Sequence, residues 1–282
     1  MQGARCLHRH ILTAIWFHVT VWPVISLRPV TTEPDPTLPR SSAGDEWNSE
    51  QVDAALATTL DSLDDALNYR NWIADLAQPY IEGPLLEVGA GHGTFTEVFV
   101  ELAEVAAVEP GIHAAGLLSD RFEGDDRVTV VNGTVDDVAL ADRFGSAVMI
   151  NVLEHIADDS GALESVWDRL QPGGHLVLWV PAFKLLYSDF DTKLGHERRY
   201  NRRELQALVE RAGFTVVKSG YVNAPGWFSW LLMVRLLSIE PTSPVTVGIF
   251  DRLIVPIVRG IERWVRPPFG QSVFLAARKP LC

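Results

Sequence analysis

Two hydrophobic periods alternate along this chain. Short apolar runs end in Gly, Asn, Asp or Pro, and between them lie longer stretches whose apolar residues recur every three or four positions. The short runs predict strands and the longer stretches predict helices. Strands are expected at Pro84–Val88, Val105–Glu109, Val128–Val131, Ala147–Asn151, His175–Val180, Thr215–Val222 and Ser272–Ala277. Helices are expected from Asn48 to about Ile81, and over Gly93–Leu102, Ile112–Asp120, Asp158–Leu170 and Arg202–Ala212. The first helix carries its apolar positions at Val52, Ala55, Leu60, Leu63, Leu67, Trp72, Ile73 and Leu76. Such alternation predicts an α/β fold with a mostly parallel sheet covered on both faces, wound by right-handed crossovers.

The first strand runs into Gly89-Ala90-Gly91-His92-Gly93-Thr94. Glycine tolerates φ > 0 and has no Cβ, so this turn lets backbone approach a ligand closely. Amides opening the next helix can face polar ligand atoms. Glu109 ends the second strand twenty residues after Gly89 and is placed to accept hydrogen bonds from ribose hydroxyls. A nucleoside-containing ligand follows. The dinucleotide fingerprint needs a third glycine where Thr94 stands. Glu87, just before the loop, would oppose a pyrophosphate but suits a cationic ligand. These departures weigh against the first rival, a nicotinamide-dependent oxidoreductase.

The string Glu87-Val88-Gly89-Ala90-Gly91-His92-Gly93, with Glu109, resembles the first motif and acidic loop of the class I SAM-dependent methyltransferases. The turn Leu170-Gln171-Pro172-Gly173-Gly174 matches that family's approach to strand 5. The resemblance covers about residues 65–222 and 270–280, and within the family is similar to the bacterial type 11/12 small-molecule enzymes. It implies a Rossmann-like seven-stranded sheet whose last strand is antiparallel, preceded here by a helical insertion. It also implies S-adenosyl-L-methionine as cofactor.

Ligands on such sheets sit outside the carboxyl ends of the strands. The residues expected to hold the cofactor are Tyr69, Glu87, Gly89, Ala90, Gly91, Gly93, Glu109, Pro110, Gly133, Thr134, Val135, Asn151 and Val152. The resemblance places adenine near Gly133-Thr134-Val135, with a backbone amide and the Thr134 hydroxyl on its edge and Val135 or Pro110 on its face. Asn151 would lie below the methionine part, and Tyr69 could reach it. Trp72 is expected to pack its helix onto the sheet.

Asn151-Val152-Leu153-Glu154-His155 resembles a segment of many small-molecule methyltransferases, with Glu154 and His155 at the mouth of the substrate pocket. An imidazole with an ordinary pKa near ~6.5 could act as general base near neutral pH, or simply hold the loop. The stretch from Val180 to Asp191, followed by Gly195-His196-Glu197-Arg198-Arg199-Tyr200, falls where an acceptor would approach. His155, His196 and Tyr187 are the candidate catalytic residues. Arg198 and Arg199 either belong to that site or pair with surface acids. No metal is expected: Cys6 and Cys282 lack ligand spacing, and His196-Glu197 is not an HExxH pattern because position 200 is Tyr.

A net charge of −12 speaks against nucleic-acid partners. The charge is uneven: residues 31–66 hold nine acids against one base, and residues 222–268 five arginines against three acids. Residues 46–282 form the expected methyltransferase domain. Within it, the apolar stretch 222–268 is expected to cap a lipophilic pocket, with an interfacial helix pair on anionic lipid, or a dimer interface, as alternatives. Residues 1–45 combine an apolar segment, Ile11–Leu27, with a proline-rich linker. That segment is a flexible or wrongly assigned start, a membrane anchor or a cleaved signal. The expected acceptor is small and apolar or lipid-linked. The expected location is the cytoplasm, with peripheral membrane contact through 222–268 or 11–27 as the variant. A non-catalytic scaffold that has kept the pocket is the second rival.

Overall fold

The computed structural model describes residues 64–139, 143–237 and 244–281. The apolar amino-terminal segment, the linker and the first part of the Asn48–Ile81 helix lie outside the described residues. Of that helix, α1 (Leu67–Ala77) is described, followed by a 3₁₀ turn at Gln78–Tyr80.

Every residue of β1 (Leu85–Val88) is buried, as expected of a central strand with helices on both sides. Then come α2 (Thr96–Phe99), β2 (Val105–Glu109), α3 (Ile112–Arg121), β3 (Val128–Asn132) and β4 (Phe144–Ile150). The chain continues through α4 (Asp159–Arg169), β5 (Leu170–Pro181), α5 (Asp189–Lys193), α6 (Arg202–Arg211), β6 (Thr215–Val222) and, after the insertion, β7 (Ser272–Arg278). The seven strands lie in the order β3-β2-β1-β4-β5-β7-β6. All pairings are parallel except those of β7, which runs antiparallel to both β5 and β6. The fold is the expected one.

Strand order reverses between β1 and β4, so a crevice opens at their carboxyl ends. Val88 pairs with Val108 on one side and Met149 on the other, which brings Gly89, Glu109 and Asn151 to one rim. Period-two alternation splits the core into two layers. Leu86, Met149, Leu176 and Leu178 pack with Leu163, Val166, Leu205 and Val209 of α4 and α6. Leu85, Ala107, Val148, Val177 and Trp179 pack with Ile73, Phe95, Phe99 and Leu118 on the other face. Each fully buried Leu contributes about 1.5–3 kcal/mol.

Two elements differ from the sequence expectation. The helix after the glycine loop is a single turn rather than the stretch Gly93–Leu102. β5 begins at Leu170 rather than His175, because Leu170 pairs with Phe144 across a register irregularity and carries the Pro-Gly-Gly segment into the strand.

The insertion between β6 and β7 is helical, with α7 (Ala224–Ser229), a π-helical stretch Trp230–Leu236, α8 (Pro244–Ile249), a π-helical stretch Phe250–Ile254 and α9 (Val255–Glu262). Val255 and Val258 join the core layer that holds Trp72 and Ile73. Asp251 is buried, and its carboxylate accepts from the amides of Asn68 (3.0 Å) and Tyr69 (2.8 Å) and from Asn68 Nδ2 (3.1 Å). A residue far along the chain thus caps the start of α1, satisfying amide donors that a helix leaves open. An Arg259–Asp75 ion pair makes a second tie between α9 and α1. No helix among the described residues is long and apolar enough to cross a membrane.

Candidate functional site

Gly89, Gly91 and Gly93 all have positive φ, at +72°, +58° and +95°. A Cβ on Gly89 would stand 2.3 Å from Val152 Cγ2, and one on Gly93 would stand 2.6 Å from Phe122 Cε2. Only glycine combines that conformation with that space. Ala90 is buried in the core layer between them. Glu109 fastens the loop to β2: its Oε2 accepts from Gly91 N at 2.8 Å, and its Oε1 accepts from Gly111 N at 2.8 Å. Each carboxylate oxygen can accept a further bond, so ribose recognition is compatible with this arrangement.

Glu87 lies below the loop at 3 % exposure, and its Oε2 accepts from the Thr96 hydroxyl at 2.6 Å. Burial, reinforced by the charge of Glu109, pushes its pKa up to about 8. A buried carboxylate in this state gains from a nearby cation. A glycine cradle, a ribose-side acid and an uncompensated carboxylate fit S-adenosylmethionine, which carries an adenosine, a sulfonium and an ammonium group.

At the end of β3, the turn Val135–Asp137 is closed by a capping box. Asp137 Oδ2 accepts from both the Thr134 amide (2.7 Å) and the Thr134 hydroxyl (3.2 Å). The Thr134 hydroxyl, expected on an adenine edge, therefore holds the turn instead. Asp137 also sits where a Cβ on Gly133 would be, 2.4 Å from its Oδ2. Val135 is buried, and the Pro110 carbonyl accepts from Asn132 Nδ2 at 3.4 Å.

β4 is followed directly by Asn151, a non-glycine residue with φ +52° whose amide donates to Trp179 O at 2.8 Å. Val152 packs against the Cα of Gly89, which joins the two rims of the crevice. Tyr69 stands edge-on to Trp179 at 5.8 Å and to Trp72 at 6.4 Å. Burial raises its hydroxyl above the ordinary value of 10, and the charge of Glu154 adds to the rise. Trp72 packs on the sheet as expected.

The loop after β5 centres on Asp191, which is fully buried. Its Oδ1 receives His196 Nδ1 at 2.8 Å and Arg199 Nε at 2.7 Å. Its Oδ2 accepts from Ser188 N and Ser188 Oγ, both at 2.9 Å, and from Arg199 at 3.1 Å. Burial alone would raise the Asp191 pKa, but the bonds from His196 and Arg199 outweigh it and hold the carboxyl below its usual range. Arg199 is buried, so it is no surface ion pair; Arg198, paired with Asp159 at 2.7 Å, is closer to that description.

Three sequence expectations change here. Tyr187 donates its hydroxyl proton to the His196 carbonyl at 2.6 Å, so it closes the loop and offers no proton to an acceptor. His155 packs perpendicular to His196 with ring centroids 4.5 Å apart. Burial and then the neighbouring His196 push the His155 pKa down to about 3, which overturns the picture of a base titrating near neutrality. Glu154 is fully buried rather than at the pocket mouth, and burial pushes its pKa up to about 8.

Asp191 and Arg199, named in sequence only as members of the loop, order it; two further positioning residues had escaped the sequence reading. Asp251 caps α1, and Arg70 ties α1 to the glycine loop through Thr94 O (3.4 Å) and Glu97 Oε2 (2.9 Å). An acid inside an apolar amphipathic run was the available signal for Asp251. Arg70 gave none.

Comparison with known proteins agrees with this geometry. A family model described as "Methyltransferase domain" matches residues 50–219. The chain is 27% identical over 136 residues to a protein of Mycolicibacterium smegmatis named as a probable S-adenosylmethionine-dependent methyltransferase, a match spanning 47% of this chain and 52% of that protein. It is 27% identical over 176 residues to the ubiquinone biosynthesis O-methyltransferase of Dinoroseobacter shibae, covering 55% of this chain and 70% of the relative. The chain thus spans about half the length of the first relative and more of the second. Among solved structures, phosphoethanolamine N-methyltransferase 2 of Haemonchus contortus in complex with S-adenosyl-L-methionine superposes with a TM-score of 0.53 at 16% identity, over 74% of this chain and 52% of that one. That likeness concerns the fold. With the family match covering more than half of its length, this chain belongs to the methyltransferase-domain family and is an S-adenosylmethionine-dependent methyltransferase.

Proposed function

We propose that the acceptor is a small lipophilic molecule, reached from an apolar surface carried by the insertion. One observation carries this reading. Eleven of the eighteen large apolar side chains exposed among the described residues fall between Phe228 and Val265. Ile249, Leu253, Ile257 and Ile261 recur every four residues along the α8–α9 stretch, and Phe228, Leu232 and Leu236 do the same along α7 and the π-helical stretch after it. Exposed apolar stripes of this size are characteristic of surfaces that meet lipid or a lipophilic ligand. Arg252, Arg263 and Arg266 on the same segment suit anionic headgroups. A relative named for O-methylation in ubiquinone biosynthesis supports an apolar acceptor.

When bound, S-adenosylmethionine supplies a methyl group already activated by the sulfonium. The protein's part is to position and to exclude water. The glycine turn and Glu109 hold the nucleoside end, and Glu87 offers charge to the cationic end. The insertion reaches from α1, through Asp251 and Arg259, to the acceptor loop, where Trp230 Nε1 donates to Leu186 O at 3.1 Å and Arg199 lies 4.7 Å over the Trp230 ring. It therefore spans the side from which an acceptor approaches. This bridging supports the cap, while the outward stripe supports lipid contact; one segment serves both.

The test is turnover of radiolabelled S-adenosylmethionine with acceptors sharing one head group and differing in alkyl tail length. KM should fall by roughly threefold to fourfold for each buried methylene, as about 0.8 kcal/mol per CH₂ requires. A KM independent of tail length would contradict the proposal.

A further inference from the structure

Charge on the insertion is arranged one-sidedly. Its described residues hold five arginines, Arg235, Arg252, Arg259, Arg263 and Arg266, against two acids, Asp251 and Glu262. Both acids are spent inside the protein. Asp251 is buried on the start of α1, and Glu262 accepts from the amides of Asn223 (3.1 Å) and Ala224 (3.0 Å). Among the described residues only Arg259 of the five enters an ion pair, with Asp75. The outer surface of the insertion is therefore cationic, on a chain whose net charge is −12.

A hollow of about 220 Å³ opens between α9 and the start of α1, lined by Asn68, Pro256, Arg259, Gly260 and Arg263. The helical turn continues past α9, because the Arg263 amide donates to Arg259 O at 3.2 Å. Pro256, Gly260 and Arg263 are spaced i, i+4, i+7, so they share one face. Gly260 gives the hollow its depth: a Cβ there would meet nothing within 4 Å. Ile257, Ile261 and Trp264 repeat the spacing one residue later and are exposed, Trp264 at 89 %. Two guanidiniums thus edge a cavity, and an apolar strip ending in an exposed indole runs beside it. Asp75 neutralises one of the two charges through a single Arg259 nitrogen, which leaves the hollow cationic with donors to spare.

We propose that this hollow binds the phosphate of an anionic phospholipid and so seats the insertion on a negatively charged bilayer. Arginine suits phosphate oxygens, because it offers directed donors as well as charge. The strip beside the hollow would lie among the first acyl carbons. The Trp264 indole would stand at headgroup level, the position that tryptophan favours at a membrane–water interface. Charge decides between the possible occupants. A second copy meeting the same face across a two-fold axis would set arginines against arginines, and a neutral bilayer would leave them unmatched. The acidic remainder of the chain is repelled by the same bilayer, which turns α9 toward it. The inference rests on reading the insertion's apolar stripe as a lipid-facing surface, and adds the headgroup that the surface selects and the pocket that selects it.

The full chain is co-sedimented with phosphatidylcholine vesicles made with and without phosphatidylglycerol, and its melting and self-association are measured in parallel. Wild type should prefer the phosphatidylglycerol vesicles by roughly tenfold or more. Arg263→Gln should weaken that binding by about fivefold, the share of one arginine at an anionic surface. Gly260→Leu fills the hollow without altering charge and widens the apolar strip. Binding to phosphatidylcholine should then hold or rise while the preference for phosphatidylglycerol falls. Both positions are exposed, so melting should match wild type. Arg203→Gln, on α6 across the sheet, should change binding by less than about twofold. Equal binding of wild type to the two vesicles, or a preference that Gly260→Leu leaves intact, would overturn the site. Self-association that Gly260→Leu abolishes would give the face to a second copy, and saturable binding of inorganic phosphate without vesicles would give the hollow to a soluble anion; either would overturn the lipid. A phosphatidylglycerol preference with a KM independent of acceptor tail length would keep the site and remove the lipophilic acceptor.

Discussion

On the cofactor side, Gly89, Gly91, Gly93 and Glu109 lie within a single strand–turn–helix–strand unit. The side where we propose that the acceptor approaches draws Tyr69, Glu154, His196, Trp230 and Asp251 from five separate stretches of chain. The first region is made of backbone conformation, which short motifs dictate. The second is made of side-chain contacts across long sequence separations, which only the folded sheet brings together. Local construction makes the cofactor legible, and distributed construction leaves the acceptor to be argued from surface and charge.

The sharpest way to break this contrast is at Gly89. Gly89→Val places side-chain atoms into Val152 and forces a branched residue into positive φ. Affinity for S-adenosylhomocysteine should fall by more than ~100-fold, a cost on the order of 3 kcal/mol. Titration calorimetry on protein with unchanged circular dichroism is the check; retained affinity would dissolve the assigned cradle.

Asp251→Ala strikes the distributed region instead. It removes a buried carboxylate from three bonds at the start of α1 and should cost about 1–3 kcal/mol. Melting should drop by several degrees, with cofactor affinity reduced far less than in Gly89→Val. An unchanged melting temperature would mean that the insertion is not fastened through this residue.

Proton linkage separates the two regions by a different route. Glu87 has a folded pKa raised to about 8 from 4.5, so the folded state holds its proton more tightly than the unfolded state. Its contribution to stability is fully present below pH 4.5 and is lost as pH rises through about 8. A cationic ligand favours the ionised form, so binding S-adenosylmethionine near pH 7 should release close to one proton. Calorimetry in buffers of differing ionisation enthalpy should show that release in wild type and not in Glu87→Gln. Release unaltered by the substitution would assign the proton elsewhere.

The smallest stability effect is expected on the insertion's outer face. Ile257→Asp with Ile261→Asp should shift folding stability by no more than ~0.5 kcal/mol each, because both side chains are exposed. Sedimentation with phosphatidylglycerol-containing vesicles should nevertheless fall severalfold. Equal sedimentation would leave the stripe without a lipid role.

The same contrast explains what could be read from residue order. The parallel, two-sided sheet followed from alternating periods, its antiparallel last strand from the family resemblance, and the glycine turn from residues whose conformations almost no others adopt. β5 was misread at its start because Pro-Gly-Gly signals a turn, whereas pairing of Leu170 with Phe144 extends the strand. Thr134 was misread because its capping partner, Asp137, competes for the hydroxyl assigned to adenine. His155 was given an ordinary imidazole pKa because burial beside His196 cannot be seen in sequence. His155 and His196 were both named, yet their meeting with Glu154 depends on the loop folding back, held by Glu197 N to Glu154 O at 2.8 Å.

The central claim is that the rim between β1 and β4 binds an S-adenosyl ligand. The most direct measurement is calorimetric titration of the full chain with S-adenosylhomocysteine, with NAD under identical conditions. The account predicts saturable micromolar binding of S-adenosylhomocysteine at one site per chain and no heat from NAD. Binding of NAD with none of S-adenosylhomocysteine would contradict it.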